Sequence, residues 1–254
     1  MSRTIIDLDA AGLEKFGFSC VKTKSHLGYK AKKAWFLKQV EQGLTIKQAH
    51  VDGKVVGFIE YIPAEHAWRP VKAHGYLFIH CLSVRSKKHR QQGLATKLVK
   101  SVIEDAKNQR KSGVAVITSE KSWMAGKEIF LMNGFMHITT KERYDLLAFP
   151  LIQAGPDPRL GFRTQEVKNG EYDGLHLVYS AQCPYSASNI NELKETAKDS
   201  GFDLHLHELT TAEEAQNAPS INSTFTLIHN GHILEDHYIS KTRFRNILKK
   251  IGKS

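Results

Sequence analysis

One stretch limits what this chain can fold into more than any other. Tyr76–Val84 (YLFIHCLSV) is nearly all apolar and runs into a basic loop containing Gly93. From Leu94, apolar residues recur at helical spacing through Leu98, Val102 and Ala106, with Val99 and Ile103 widening the stripe, and a second apolar run (VAVIT, 114–118) follows. A strand that is apolar at successive positions is buried on both faces, whereas an i, i+4, i+8 stripe is one buried helix face. The stretch therefore reads as central strand, loop, amphipathic helix and second buried strand.

The loop is Arg90-Gln91-Gln92-Gly93-Leu94-Ala95. Gly93 lets the backbone approach a ligand closely, Ala95 keeps the first helical turn uncluttered, and the amides of that turn have no intrahelical acceptor. Backed by the positive end of the helix dipole, they suit a pyrophosphate. Charge agrees with this. Lys and Arg number 36 against 26 Asp and Glu, and the excess is confined to residues 1–150, with 25 basic and 13 acidic residues against 11 and 13 in 151–254. Arg85, Lys87, Lys88, Arg90, Lys97 and Lys100 crowd one short stretch, whose field attracts a polyanion. A solvated face without a ligand is the plain alternative. Nucleic acid ranks below a small anion, because no aromatics are interleaved there to stack bases.

The remaining pattern points to two domains, which suits 254 residues. Residues 44–51 alternate, Asp52-Gly53 turns tightly, and 54–62 returns as a strand, a β-hairpin. A helix is predicted over about 123–132, ending at Asn133-Gly134, with short strands near Phe135 and over 144–149. Gly155, Pro156, Asp157 and Pro158 break the pattern, so 151–171 is expected to be a linker between domains at 1–150 and 172–254. Beyond it the order is βαβ, a short helical piece, then ββα: strands at 175–179, 203–209, 225–228 and around Ile233, helices at 184–200 and at the C-terminus.

Three cysteines far apart (Cys20, Cys81, Cys183) argue against a secreted disulfide framework and a zinc knuckle, and no metal is expected. There is no run of about 18 apolar residues, and Asp7 and Asp9 stand where a signal peptide would be apolar. A cytoplasmic protein off the membrane is expected.

R-x-x-G-x-A between a strand and a helix resembles the acyl-CoA signature of the GCN5-related N-acetyltransferases (GNAT), and IFLMNGF at 129–135 is similar to that family's late helix and closing Gly-Phe. The resemblance covers about residues 1–150 and implies the α+β GNAT (acyl-CoA N-acyltransferase) fold with acetyl-CoA as cosubstrate. It implies that backbone groups of Leu82 and Val84 hold the pantetheine arm and thioester carbonyl. Amides of Gln91, Gln92, Gly93, Leu94, Ala95 and Thr96 would take the pyrophosphate, with charge from Arg90. For the side chains of Leu82 and Val84 core filling is the reading. Two departures stand out: the loop from Val84 to Arg90 is a residue longer than the usual spacing, and Phe130 stands where a tyrosine often protonates the leaving thiolate.

An ammonium acceptor must lose a proton before it attacks. Glu60, on a strand expected beside the central one, is the candidate base, with His80 behind it; a solvated or ion-paired Glu60 and a core histidine are the plain alternatives. Cys81 reads as a small buried hydrophobe. Tyr61, Glu65, His66 and Trp68 either line an acceptor cleft or form an ordinary loop.

Cys183-Pro184-Tyr185-Ser186 follows a strand and begins a helix, where a thiolate is stabilised by free amides and the dipole. The segment resembles the active-site turn of glutaredoxins and thioredoxin-like proteins, and 172–252 follows their element order, implying a smaller α/β thioredoxin-like domain of the monothiol type. The proline usual before the third strand of such folds aligns with Ser223, so a redox role for Cys183 stands beside a structural or substrate-binding one. The combination, together with residues 60–65, Trp68 and Pro70, resembles the bacterial YoaP-like acetyltransferases. The function expected is direct transfer of an acetyl group from acetyl-CoA to a small-molecule or peptide amine. The alternatives are a monothiol glutaredoxin-like thiol-exchange protein using Cys183 with a CoA-binding first domain, and a non-enzymatic module holding nucleic acid.

Overall fold

A computed structural model of the chain describes residues 2–21, 23–85, 88, 89, 92–120, 123–152, 157, 159–163 and 170–252. Its contacts divide the chain into two compact units. The first comprises residues 1–24, 36–67 and 71–162; the second comprises 25–35, 68–70 and 163–254. The second unit thus draws in two short segments from the part of the sequence expected to be one domain.

In the first unit, β1 (Arg3–Asp7), β2 (Thr45–Val51), β3 (Lys54–Pro63), β4 (Val71–Lys72), β5 (Tyr76–Val84), β6 (Gly113–Thr118), β7 (Met136–Lys141), β8 (Tyr144–Pro150) and β9 (Gly161–Phe162) accompany the helices α1 (Ala10–Phe16), α3 (Leu94–Asn108) and α4 (Glu128–Leu131). Helix α2 (Leu27–Val40) is shared between the units by residue number. Seven strands form one sheet in the order β1-β2-β3-β5-β6-β8-β7, and β4 pairs with β9 separately. The expected hairpin is β2–β3, its turn made by Asp52 at φ 49° and Gly53 at φ 77°, the left-handed pair such a two-residue turn needs.

The stripe read from the sequence is the one α3 buries: Leu94, Leu98, Val99, Val102, Ile103 and Ala106 pack on Ile59, Tyr61, Leu77, Ile79 and Leu82. The opposite face of the sheet carries α1, because Gln48 Nε2 donates to Gly17 O at 2.8 Å and Phe16 meets His50 edge to face.

The helix predicted over 123–132 is only the four residues of α4. Trp123 (69% exposed) and Met132 (75%) point to solvent, so their spacing marks no buried stripe; Phe130 alone in α4 is fully buried. The described part of the expected linker carries regular structure: β9 lies within it, and buried Asp157 accepts hydrogen bonds from Tyr76 Oη (3.2 Å) and from Arg159 Nη2 (2.6 Å).

The second unit holds β10 (Leu175–Ser180), α5 (Pro184–Ser188), α6 (Ile190–Asp199), β11 (Leu204–Leu209), α7 (Ala212–Gln216), β12 (Phe225–His229), β13 (His232–Glu235) and α8 (Lys241–Ile251). Its sheet order is β11-β10-β12-β13, with β10 and β11 parallel and the other pairs antiparallel. Leu175, Leu177, Leu193, Phe225, Leu227, Phe244 and Leu248 form its core. One helix was expected over 184–200; two are present, broken at Asn189, whose Nδ2 donates to Tyr238 Oη at 2.9 Å.

Candidate active site

Strand β5 makes the site by pairing unevenly. On one side it follows β3 along nearly its whole length, to Gly57↔Val84, but its parallel pairing with β6 stops at Ile79↔Val116. Beyond that point, from His80 to Val84, the side of β5 toward β6 makes no ladder. The parting has a local cause. Glu60 pairs with Cys81 and Tyr61 with Ile79, so His80 is one residue too many, a bulge of the kind that bends a strand and re-aims a side chain. The bulge also shifts the parity of β5: Leu77 and Ile79 before it, and Leu82 and Val84 after it, all reach the core under α3. The side chains of Leu82 and Val84 are thus core filling, and their backbone lies along the open stretch.

Helix α3 begins beside this strand. Gly93 is its N-cap, at φ 73°, with no side-chain cap, and the first backbone bond of the helix is Lys97 N–H to Gly93 O at 3.0 Å. The amides of Leu94, Ala95 and Thr96 therefore have no intrahelical acceptor. A Cβ at Gly93 would meet nothing within 4 Å, so the space above the turn is open. Gln92 is tied down from both sides: its Nε2 donates to Lys88 O (2.5 Å), and Arg3 Nη2 donates to its Oε1 (3.1 Å) and Nη1 to its backbone oxygen (3.3 Å). Arg3 went unnoticed in the sequence, since only the pairing of β1 beside β2 brings it there. Arg90 and Gln91, both expected in the cradle, lie outside the described residues. Asn133, in the Asn-Gly-Phe run, donates to Ile129 O (2.7 Å) and reaches Thr96 Oγ1 at 3.5 Å, linking α4 to the first turn of α3.

Glu60 and His80 come together. Glu60 pairs with Ile46 and lies on the α1 face of the sheet, opposite α3; its Oε1 is 3.4 Å from His80 Nδ1. Glu60 is 1% exposed, which overturns the solvated alternative: the carboxylate is buried and partnered. Cys81 is half-buried rather than buried, turned out by the bulge. Phe130 is fully buried edge to face with Phe135, a hydrocarbon that can donate no proton. Tyr61 donates to Asp105 on α3, and burial first, then that carboxylate, pushes its pKa up; Asp105 also meets Lys47 Nζ at 3.0 Å. Glu65 accepts from Gly75 N–H (2.7 Å) and faces His74 (3.1 Å). Tyr61 and Glu65 are thus structural, and Trp68 belongs to the second unit.

Cys183 is half-buried in the second unit, at the N-cap of α5, with Pro184 as first helical residue. Ser223, where a proline was expected, donates from Oγ to Trp68 O (2.5 Å) and accepts from Arg69 Nη1 (3.1 Å), which also donates to Gln182 Oε1 (2.5 Å). The N-terminal segments of the unit therefore close on the turn that carries Cys183. Gly28 fits only as glycine, since a Cβ would run into the Pro184 carbonyl.

The sequence matches known protein families in both parts of the chain. Residues 12–122 match the acetyltransferase (GNAT) family, and residues 203–246 match the YoaP-like family. An uncharacterized N-acetyltransferase, YoaP, of Bacillus subtilis (strain 168) is 30% identical over 226 residues, spanning 87% of this chain and 88% of the relative. Among solved structures, a GNAT-family acetyltransferase from Staphylococcus aureus Mu50 is 15% identical with a TM-score of 0.43, over 59% of this chain and 99% of that one. The PaiA N-acetyltransferase of Thermoplasma acidophilum in complex with coenzyme A is 13% identical with a TM-score of 0.42, over 59% and 100%. With the strand, bulge and bare helix start in the matched region, and with a relative similar across nearly the whole length, this chain belongs to the GNAT family of acetyltransferases and is an N-acetyltransferase with a YoaP-like C-terminal region.

Proposed function

We propose that the chain moves an acetyl group from acetyl-CoA directly to an amine, in a ternary complex without a covalent enzyme intermediate. One observation carries this: the unladdered edge of β5 from His80 to Val84 lies next to the capless start of α3. The first offers backbone groups of Leu82 and Val84 to the pantetheine arm and thioester oxygen, and the second offers amides from Gln92 to Thr96 to the pyrophosphate. Arg3, Lys97 and Lys100 add charge. The residues present fit the cosubstrate, since the Gly93 turn leaves room for a phosphate and supplies donors for it.

Glu60 with His80 is the base. The dyad sits at the bulge, on the face of the sheet opposite α3, so an amine arriving from that face meets the thioester carbonyl across β5. It gives up its ammonium proton to the dyad first, and the freed nitrogen lone pair then attacks the carbonyl. No side chain at position 130 supplies the proton for the leaving thiolate. The acceptor is a small-molecule or peptide amine. Among the described residues no helix is long and apolar enough to cross a membrane. Cys20, Cys81 and Cys183 form no disulfide among the described residues, and a reducing cytoplasm is the compartment we propose.

Titration of the full chain with acetyl-CoA in a calorimeter tests the donor assignment. Gly93→Asp places bulk and negative charge in the phosphate space and should abolish the binding heat while leaving the fold intact by circular dichroism. Absence of binding in the wild type, or undiminished binding in the variant, removes the reading.

A second reading, thiol exchange at Cys183, is favoured by the half-open thiol and by Ser186 Oγ, buried without a hydrogen-bond partner one helical turn on. It keeps the thioredoxin-like description of the second unit, whose strand order supports it. Rapid reaction of Cys183 with an aromatic disulfide at neutral pH, lost in Cys183→Ser, is its expected sign.

A further inference from the structure

Three imidazoles meet at the edge of the second unit, away from the thiol turn and in a region the acetyl transfer does not use. His176 on β10 lies opposite His205 on β11 in the parallel ladder, and His207 follows two residues on, on the same face. The His176 ring stacks on His205 (centroids 4.8 Å, planes 26° apart) and on His207 (5.1 Å, 23°), with Tyr172 edge-on to His176 and His207. His176 is 8% exposed, while His205 and His207 are open to solvent.

The hydrogen bonds define which nitrogens are available. His176 Nε2 lies 2.7 Å from the backbone oxygen of Asp173, an acceptor only, so Nε2 carries the proton and Nδ1 is left with a lone pair. That lone pair faces His207 Nε2 at 2.8 Å. Two imidazole nitrogens at this distance must share something between them, either a proton or a cation. A ligating histidine typically has its other ring N–H on a backbone carbonyl, as His176 does, because this fixes tautomer and ring orientation. Two nitrogens each about 2.0–2.1 Å from one zinc ion lie roughly 3 Å or a little more apart, so a small turn of the exposed His207 ring opens the gap to size.

The geometry points to a site for a divalent transition-metal ion of the zinc, copper or nickel class, held by His176 Nδ1 and His207 Nε2. Imidazole suits these ions, where magnesium and calcium prefer oxygen. An acidic group stands beside the cluster: Asp203 Oδ2 lies 3.8 Å from His205 Nε2. Among the described residues no three or more His, Cys, Asp or Glu already converge on one point. The ion is therefore bound by two imidazoles and water, with His205 covering one side.

The test is calorimetric titration of the untagged full chain with zinc chloride, in the wild type, His207→Ala, His205→Ala and, as a control on a separate strand, His232→Ala. The wild type should take up one ion, and His207→Ala should weaken it at least as much as the roughly 10–100-fold that loss of an outer-shell partner costs. His232→Ala should bind as the wild type does, and His205→Ala should lose less than His207→Ala. Because His207 is exposed, its variant should fold, and copper(II) electron paramagnetic resonance gives a second readout: nitrogen couplings from two imidazoles in the wild type, reduced to one in His207→Ala. Failure of the wild type to bind zinc, equal affinity in His207→Ala, or an equal loss in His232→Ala would overturn the assignment.

Discussion

Glu60 and Asp157 are both buried carboxylates, and their partners set different tasks for them. Glu60 faces the His80 imidazole, at the bulge where β5 leaves β6. Removing its charge while keeping its shape should cost a general base: Glu60→Gln is expected to lower kcat by about 10²–10⁴-fold with acetyl-CoA affinity unchanged, read from steady-state CoA release beside calorimetry. Asp157 is bonded on both oxygens. Hydrogen bonds from the Arg159 side chain, with help from Tyr76, hold its pKa at about 2 against an ordinary 3.8, in spite of its burial. A carboxyl depressed in the folded state stabilises above its unfolded value, and that contribution goes as pH falls through the folded value. Between pH 4 and 2 the wild type should therefore lose thermal stability more steeply than Asp157→Asn, measured as Tm against pH.

At the scale of elements, α3 and the two strands beneath it were legible because their side-chain period matches their burial: every apolar position of the helix stripe is buried. Leu98 is fully buried among these contacts. Leu98→Ala should lower unfolding free energy by about 2–5 kcal/mol in a urea titration, with the slope of the transition retained. Period failed where apolar residues face solvent. Trp123 and Met132 completed a helical pattern on paper, but only four residues of that stretch are helical. The bulge at His80 was hidden for a related reason. YLFIHCLSV is apolar on both faces, so a slip of one residue leaves no mark in its alternation.

At the scale of the molecule, the chain crosses its own expected boundary. Residues 25–35 and 68–70 belong to the second unit, where Trp35 packs edge to face on Trp68 and Arg69 is held by Gln182 and Ser223. A fragment ending at residue 162 should leave Trp35 and Trp68 uncovered. Its tryptophan emission is expected to shift to longer wavelength, and limited proteolysis should cut within 25–35, where the full chain resists. The expectation of a break near 151–171 came from Gly and Pro, which punctuate the backbone but say nothing about distant contacts.

By itself the amino-acid order determined what is local in its physics: the buried strands, the helix stripe, the hairpin at Asp52-Gly53, and a glycine that opens a helix with bare amides. It also carried enough of the family's pattern for the acetyltransferase to be recognised from residues 76–135. Only the tertiary structure decided that Glu60 meets His80, that β5 parts from β6 after Ile79, that Arg3 reaches Gln92, and that three histidines share one sheet edge. Each of these depends on register and on contacts between residues far apart in the chain, and no local propensity encodes which strand lies beside which.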